Sequence, residues 1–499
     1  MSGATGSILS NFGALQALNG IAAAQSANNT YETQLSTGLS INSPADNPAG
    51  FIEAQGFTSQ VNGVTQASSN ANEGISLLQT AQGAVQQQLD VAQKLNSMAV
   101  QAANGTQTPQ EAQSLQSVVS QLTGQITTIA QQTQFNNINL LDGTFSGVQF
   151  QIGANEGQTL SLSIGSTQAN NIGMNTLDSS GKLYGSKTGD SAAVTKTGSA
   201  FTAGSLTING SNGSAKVTAT ATESAASLAS AVNALTNQTN VSAQAATNLV
   251  VKAQGGSGSA YSFTLGNGSA ASPTNTVTIS ATGVSGLVNA INASTAKTGI
   301  TAVQQGSGAS AELVLTQSQG QNISITGVAN GSFTVENGGS TANTKKFGGT
   351  TTAGTFTAAS GGSTLVAQGK VSFQSDQSFS VANAADIGLK SQSNLLSLSA
   401  INVSTTAGAN SAINVIKYAI EGLNNLGGQL GASQQRLTAT LNNLTTTNAN
   451  LQNGLATVQD ANIPAVSQQL TQSQIQAQAG VAALKSSTTL QQAFLSLLP

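Results

Sequence analysis

Apolar residues recur every seven positions in two ladders that lie near opposite ends of the chain. This spacing keeps side chains on one stripe of a slightly underwound helix, as in the seam of a coiled coil. The ladders are Phe57, Val64, Ala71, Leu78, Val85, Ala92 and Ala99, and then Ile416, Leu423, Leu430, Leu437, Leu444, Leu451 and Val458. Because neither stripe can be buried alone, we predict that the two rods pack together as the core of a helical bundle.

A weaker apolar stripe lies outside each ladder. Narrow stripes on helices rich in Gln, Ser and Ala bury little surface, and burial contributes only about 25 cal/mol per Å². We therefore predict that both terminal helices order only in an assembly and that their stripes form its interface. The predicted interface residues are Ile8, Phe12, Leu15, Leu18 and Ala22 at one end, and Leu470, Ala477, Val481, Leu484, Leu495 and Leu498 at the other.

Two short segments in the N-terminal half predict boundaries between helices. Pro44 and Pro48, followed by Gly50, indicate a joint before the first ladder. After that ladder, Asn104-Gly105 predicts a helix end, and Thr108-Pro109-Gln110-Glu111 predicts a new helix that opens with a capping box. The two helices are then antiparallel neighbours joined by a short turn.

Beyond Phe135 the hydrophobic period changes from helical to alternating. Val148–Ile152 and Leu160–Ile164 read as paired strands. The Ser-, Thr-, Gly- and Asn-rich middle that follows contains an approximate duplication, in which strands flank one short helix, Ala225–Asn233 in the first copy and Val284–Asn292 in the second. The prediction is an α+β multidomain fold: a long coiled-coil-like bundle formed by the paired N- and C-terminal regions, with a β-rich variable middle.

These boundaries predict three regions built from paired or central segments. Residues 1–43 with 459–499 form a terminal helical polymerisation domain, and residues 44–175 with 396–458 form a helical-bundle domain with β-hairpins. Residues 176–395 form a variable outward-facing region, with α+β repeats at about 203–265 and 273–335.

The composition limits which classes of function the chain can have. Among 499 residues there is no His, Cys or Trp, and the 17 acidic residues show no paired clustering or metal-site spacing, so we expect no enzyme, no cofactor and no metal. A net charge of -3 with Arg436 as the sole arginine argues against nucleic-acid binding. The chain has no apolar run that could cross a membrane and no secretory signal at its N-terminus.

Several motifs, in order and spacing, resemble those of bacterial flagellin. The resemblance covers roughly residues 1–175 and 395–499. The segments that carry it are Gln34–Ser43 with the following Ala-Asp-Asn-Pro-Ala-Gly, Gln66–Ser76, Gln131–Asn137 and the ending Leu495–Leu498.

The resemblance implies a structural subunit that self-assembles into the extracellular flagellar filament and serves swimming motility. Its terminal helices would form the inner tube of a helical polymer, the paired ladders the next shell, and the middle the outer surface. It further implies type III export guided by a flagellar export chaperone, contacts with hook-associated junction proteins and a filament cap, and glycans attached through Ser or Thr. Alternatives are a hook–filament junction protein, or a surface adhesin or glycan-binding module built on the duplicated units.

The chain departs from the family in places. Ala92–Gln101 aligns with the family segment that an animal innate immune receptor recognises, and Lys94 and Met98 are its candidate contact residues. Asn96 and Ser97 replace an arginine and a glutamate there, so we predict weak receptor activation. Gly427-Gly428 interrupts the second ladder, and we interpret this pair as a site of close packing.

Overall fold

The computed structural model describes most of the chain, in segments separated by short gaps. Contacts divide the chain into two compact units, the first comprising Met1–Gln79, Gly147–Ser163 and Gly431–Pro499, and the second comprising Thr80–Ser146 and Ile164–Leu430. The described residues are 12–179, 183–186, 204–219, 224–254, 259–268, 273–306, 311–330, 332–337, 353–357, 364–383 and 390–495.

The first unit is built on four helices and a hairpin. The helices are α1 (Phe12–Thr37), the first part of α2 (Pro48–Ala103), the last part of α8 (Thr406–Gln459) and α9 (Ile463–Leu495). At the predicted joint, Asp46 Oδ2 accepts hydrogen bonds from the backbone N–H groups of Asn42 and Ser43, at 3.0 and 2.7 Å. These bonds hold the pKa of Asp46 below its usual value and tighten the turn from which α2 begins.

The ladders meet in the first unit. Val64 is buried with Ala67 and Leu444, and Leu451 packs against this cluster. Strands β3 (Val148–Gln151) and β4 (Thr159–Leu162) pair antiparallel with Val148 opposite Leu162, which confirms the predicted hairpin. The side chain of Asn70 on α2 donates to the backbone oxygen of Gln151 at 2.9 Å and so fixes the hairpin on the helix.

The second unit contains the rest of α2, α3 (Pro109–Gln132), a 3-10 turn (Leu398–Ala400) and the start of α8. The predicted capping box is confirmed: Thr108 Oγ1 accepts from the Glu111 N–H at 3.3 Å, and the Thr108 N–H donates to Glu111 Oε2 at 2.8 Å. Buried Gln88 donates to the backbone oxygen of Ile126 at 3.0 Å and joins α2 to α3.

The β-rich part of the second unit is antiparallel throughout the described pairs and carries four short helices: α4 (Ala225–Asn233), α5 (Thr236–Thr239), α6 (Gly283–Ala293) and α7 (Thr295–Thr298). Its strands, in chain order, are β1 (Gln134–Phe135), β2 (Ile138–Asn139), β5 (Gly173–Asp178), β6 (Leu183–Ser186), β7 (Gly204–Gly210), β8 (Gly213–Ala219), β9 (Ser242–Gln254), β10 (Ala260–Gly268), β11 (Pro273–Thr282), β12 (Ile300–Gln305), β13 (Glu312–Gln317), β14 (Ile323–Asn330), β15 (Ser332–Asn337), β16 (Ala353–Thr357), β17 (Thr364–Ala367), β18 (Lys370–Ser375), β19 (Ser380–Ala382) and β20 (Asn394–Ser397). A two-stranded ribbon joins β1 to β2.

These strands form three larger sheets. One has the order β11-β10-β14-β17-β6, and a small one has the order β19-β7-β8. The largest has the order β12-β13-β9-β18-β5-β20, with β15 paired to β9 and β16 paired to β15.

Two hydrophobic cores underlie these sheets. In one, α4 packs through Leu228 and Val232 on strands that include β9 and β18. In the other, α6 packs through Leu287 and Ile291 on strands that include β11 and β12. The middle region is therefore helix-on-sheet, as the alternating pattern predicts.

The interpretation of Gly427-Gly428 as a close-packing site is wrong. A Cβ added at either glycine of α8 would meet no atom within 4 Å. Glycine in a helix interior costs about 1 kcal/mol relative to alanine, so this pair weakens α8 without a packing requirement that offsets the cost.

Candidate assembly surface

Helices α1 and α9 of the first unit pair through a seam of small residues. The α1 side includes Ala17, Ile21 and buried Ala24. On α9, Gly480 lets Ile21 approach so closely that a Cβ there would lie 2.7 Å from Ile21 Cγ1. Buried Ser473 donates a hydrogen bond to Asn28 Oδ1, so one polar contact also fixes the register of the pair.

Three large apolar residues near the start of α1 lie on another face and stay in contact with solvent. Phe12 is 78% exposed, Leu15 52% and Leu18 50%, and Ala22 is also exposed. At about 100° per residue these four positions share one side of the helix, away from the seam with α9. The described part of the predicted N-terminal stripe is thus an apolar surface that the described residues of this unit leave uncovered.

The predicted residues of α9 fall on two different faces. Leu470, Ala477 and Leu484 are half-buried in the seam that faces α1, with buried Val466 in the same 3-4 repeat. Val481 is 55% exposed. Of the remaining predicted positions, Ile8 and Leu498 lie outside the described residues, as does the side chain of Leu495 at the end of α9.

Sequence reasoning missed further exposed apolar side chains on α9. Ile475 and Leu490 are 60% and 58% exposed, and Ile463 is 42% exposed. Ile475 and Leu490 lie off the seven-residue spacing of the seam, so a search for that spacing passes over them, whereas Ile463 lies on the spacing one step before Leu470. For Ile475 and Leu490, large size and separation from Leu470, Ala477 and Leu484 on a helical projection were the available signal.

Charge on the terminal helices is nearly absent. Glu32 is the sole charged residue in the sequence of α1, and Lys485 is the sole one in α9. Identical copies placed side by side through these helices would therefore experience little electrostatic repulsion.

The predicted bundle-core residues lie inward. Most are buried, and three at the ladder ends or edges, Phe57, Leu451 and Val458, are half-buried. In the first unit the Phe57 ring lies against Gly454, where a Cβ would come within 3.3 Å of it. The buried members are Val64, Ala71, Leu78, Val85, Ala92, Ala99, Ile416, Leu423, Leu430, Leu437 and Leu444.

The candidate receptor segment lies on α2. Lys94 is exposed and Met98 is half-buried, whereas Leu95 between them is fully buried. A protein partner approaching this face would therefore meet the Lys94 ammonium group first.

Other site types find little support in the described part of the chain. None of its helices combines the length and apolar character needed to span a bilayer. Within the same residues, no three His, Cys, Asp or Glu side chains are grouped so that they could hold a metal ion.

Three family models match the chain. They are the bacterial flagellin N-terminal helical region at residues 8–146, the bacterial flagellin C-terminal helical region at 413–498, and the flagellin hook IN motif at 205–255. The two helical matches contain the terminal helices α1 and α9 and every residue of both ladders.

Individual relatives agree with these matches. The chain is 30% identical to the B-type flagellin of Pseudomonas aeruginosa over 98% of both chains, and 36% identical to flagellin 1 of Proteus mirabilis over 39% of this chain and 52% of that one. Among solved structures, FliC of Burkholderia pseudomallei shares 22% identity over 73% of this chain and 99% of that one, with a TM-score of 0.28. The full-length identity and the paired terminal matches place this chain in the bacterial flagellin family, the structural subunits of the extracellular flagellar filament.

Proposed function

We propose that copies of this chain polymerise through the exposed apolar faces of α1 and α9, with the stripe of Phe12, Leu15, Leu18 and Ala22 as the principal contact. The observation that carries the proposal is the exposure of this stripe on a helix whose other face is already paired. Large exposed apolar surfaces rimmed by polar residues commonly mark protein–protein contacts. A filament needs such a surface to meet a different surface on the next copy, because a heterologous contact that does not close generates a helix.

The energetics favour assembly over the isolated chain. The α1–α9 seam includes several small residues, Ala17, Ala24, Ser473, Ala477 and Gly480, which bury little apolar area. Full burial of a Leu or Phe side chain contributes about 1.5–3 kcal/mol, so covering Phe12, Leu15 and Leu18 supplies stabilisation that one copy lacks. We therefore expect the terminal helices to be marginally stable in the monomer and firmly ordered in the polymer.

Accessory partners follow from the same exposed surface. Before polymerisation the apolar stripes need protection, which fits an export chaperone that binds the terminal helices. At the two ends of a filament the stripes would meet hook-associated junction proteins and a filament cap. Glycans linked through Ser or Thr would attach to the hydroxyl-rich middle, whose sequence offers many acceptor positions.

The test replaces Leu15 and Leu18 together by serine. Because both side chains are about half exposed, the change removes the contact surface while leaving the seam with α9 intact. We expect no long filaments by negative-stain microscopy or sedimentation of concentrated protein, with unchanged thermal unfolding of the monomer. The control, Leu15→Met with Leu18→Met, keeps the surface apolar and should polymerise.

A truncation gives a second test. Removal of residues 470–499 deletes most of α9 and leaves α1 without its partner helix. We expect loss of filaments while the ladder bundle remains folded, as judged by circular dichroism. Normal filaments from the truncated chain or from the Leu15→Ser, Leu18→Ser variant would contradict the proposed surface.

A further inference from the structure

Two stretches of the second unit repeat one another at a fixed offset. A hairpin, a helix, a single helical turn and a strand occur as β7, β8, α4, α5 and β9, and again as β10, β11, α6, α7 and β12. Adding 59 to a residue number in α4, α5 or the start of β9 gives the corresponding position in the second stretch.

The repetition extends to individual hydrogen bonds. The side chain of Asn233 donates to the Ala243 backbone oxygen at 2.9 Å and accepts from the Ala243 N–H at 2.7 Å. Asn292 makes the same two bonds to Ala302, at the same two distances. This amide clasp ties the end of the helix to the following strand in both stretches.

Further equivalent positions behave alike. Thr236 Oγ1 donates to the Val241 backbone oxygen at 3.1 Å, and Thr295 Oγ1 donates to the Ile300 backbone oxygen at 2.9 Å. The equivalent pairs Leu228 and Leu287, Val232 and Ile291, and Val241 and Ile300 are all fully buried. Shared side-chain bonds and shared core positions show that the two stretches use one structural unit.

The two repeated stretches differ at the residue that ends the single helical turn. Asn240 and Gly299 both occupy the left-handed region there, with φ of 58° and 69°. Asn240 uses its side chain to donate to Asp376 Oδ1 at 2.7 Å, and Asn425 on α8 donates to Asp376 Oδ2 at 2.8 Å. Gly299 has no side chain with which to make such a bond.

A second contact to α8 is made by the first repeated stretch and not by the equivalent residue of the second. Ser242, two residues after Asn240, lies 2.5 Å from the Tyr418 hydroxyl on α8. Its equivalent, Thr301, is exposed and donates to the Thr316 backbone oxygen within its own sheet. Ser375 Oγ also donates to the Asn240 backbone oxygen at 2.7 Å, so the loop that carries Ser375 and Asp376 binds the first repeat through both its backbone and its side chain.

From this geometry we infer that residues 260–305 are a second copy of the repeat that begins at Gly204, and that Asp376 is the positioning residue that, among the described residues, docks the first copy and not the second on helix α8. The carboxylate accepts from one amide of the repeat and one of the helix, and hydrogen bonds to an ionised group are about twice as strong as neutral ones. The hook IN motif match at 205–255 covers the docked copy alone. The second copy keeps the fold but lacks the side chains that dock the first.

The test replaces Asn240 of the docked copy by glycine, the residue at the equivalent position 299 of the second copy. Asn240→Gly preserves the left-handed backbone and removes the side-chain bond to Asp376, together with a bond to Ser211 Oγ inside the repeat. The matched control is Asn275→Gly, because Asn275 is also left-handed, with φ of 50°, and lies in the hairpin of the second copy. Hydrogen exchange with mass spectrometry on the full-length monomer would follow peptides that cover residues 236–245 and 415–428.

We expect Asn240→Gly to accelerate exchange about tenfold in both segments, and Asp376→Ala to do the same, because each removes a bond to a charged group. In residues 415–428, combining the two changes should add little beyond Asp376→Ala, since the Asn240–Asp376 bond is already lost in that variant. Residues 109–132 should exchange as in the unaltered chain. Exchange in the Asn240→Gly protein no faster than in the Asn275→Gly protein would overturn the docking role, as would equal acceleration along the whole chain.

Discussion

Gly63 on α2 lies so close to Ala154, in the turn between β3 and β4, that a methyl group at residue 63 would sit 2.8 Å from the Ala154 Cβ and 3.2 Å from its Cα. The second of these atoms is backbone, which cannot move aside as the end of a flexible side chain can. Glycine at this position is therefore required by packing of the hairpin on the helix. Gly83, further along the same helix, would meet no atom within 4 Å.

This contrast predicts opposite effects for the same substitution. Gly63→Ala should lower the free energy of unfolding by about 1–3 kcal/mol, because overpacking displaces the hairpin. Gly83→Ala should raise it by up to about 1 kcal/mol, because alanine is the better helix former. Chemical denaturation followed by circular dichroism measures both. Equal effects of the two changes would show that the hairpin does not press on α2.

The capping box at the start of α3 gives a second prediction. Thr108→Ala removes the oxygen that accepts from the Glu111 N–H and should cost about 1 kcal/mol of unfolding free energy. Ser117→Ala is the control, because its exposed hydroxyl bonds only to the Gln113 carbonyl of its own helix. That control should stay within about 0.5 kcal/mol of the unaltered chain. A Thr108→Ala protein as stable as the control would refute the cap's contribution.

Glu421 on α8 makes the stability of the second unit depend on pH. Partial removal from water raises the pKa of its carboxyl, the charge of Asp376 raises it further, and Lys417 opposes both. The folded-state pKa therefore exceeds the unfolded value of 4.5. The stability linked to this group is present below the unfolded pKa and is lost as pH rises through the folded one.

Glu421→Gln should accordingly stabilise the protein at pH 7 and have no such advantage at pH values below 4.5. Lys417→Met should enlarge the pH dependence, because it removes the cation that favours ionised Glu421. Thermal unfolding at a series of pH values tests both. A pH profile of the Glu421→Gln protein that parallels that of the unaltered chain would contradict the assignment.

The exposed Lys94 leads to a prediction about immune recognition. Lysine cannot reproduce the bidentate geometry of arginine, and Asn96 and Ser97 replace charged residues of the family segment. We expect weak activation of the animal flagellin receptor in reporter cells. Asn96→Arg with Ser97→Glu should increase the response, whereas Asn72→Arg, at an exposed site elsewhere on α2, should not. A response equal to that of a strongly stimulating flagellin before any change would refute the prediction.

Features that depend on local chemistry could be predicted from the sequence. The capping box at Thr108 and the hairpin of Val148–Gln151 with Thr159–Leu162 each arise from residues close together in the chain. The sheet order could not be predicted. Strand β9 pairs with β18, β13 and β15, which are distant in sequence, and turn residues determine only the pairing of strands that are close in sequence.

The candidate site shows the same division. The exposed stripe at Phe12, Leu15 and Leu18 is visible in the sequence because its residues are large. The stripe of Leu470, Ala477 and Leu484 is visible too, but its packing against α1 through Ala17, Ala24 and Gly480 is not, since small residues carry no strong hydropathy signal and matter only through the closeness they permit. The open space around Gly427 and Gly428 likewise follows only from the structure.

In the first unit, a short antiparallel ribbon joins the segment after α1, residues 38–40, to the segment before α9, residues 459–461. The Ser40 N–H donates to the Gln459 backbone oxygen at 2.6 Å, and the Ala461 N–H donates to the Gly38 backbone oxygen at 2.9 Å. Contacts between residues so far apart in sequence form late, because a very long loop must close before they can be made. During synthesis, α1 has no α9 to pair with until residues 463–495 have been made. A nascent chain that stops before residue 459 lacks both the partners of this ribbon and α9, so the pairing face of its α1 stays open.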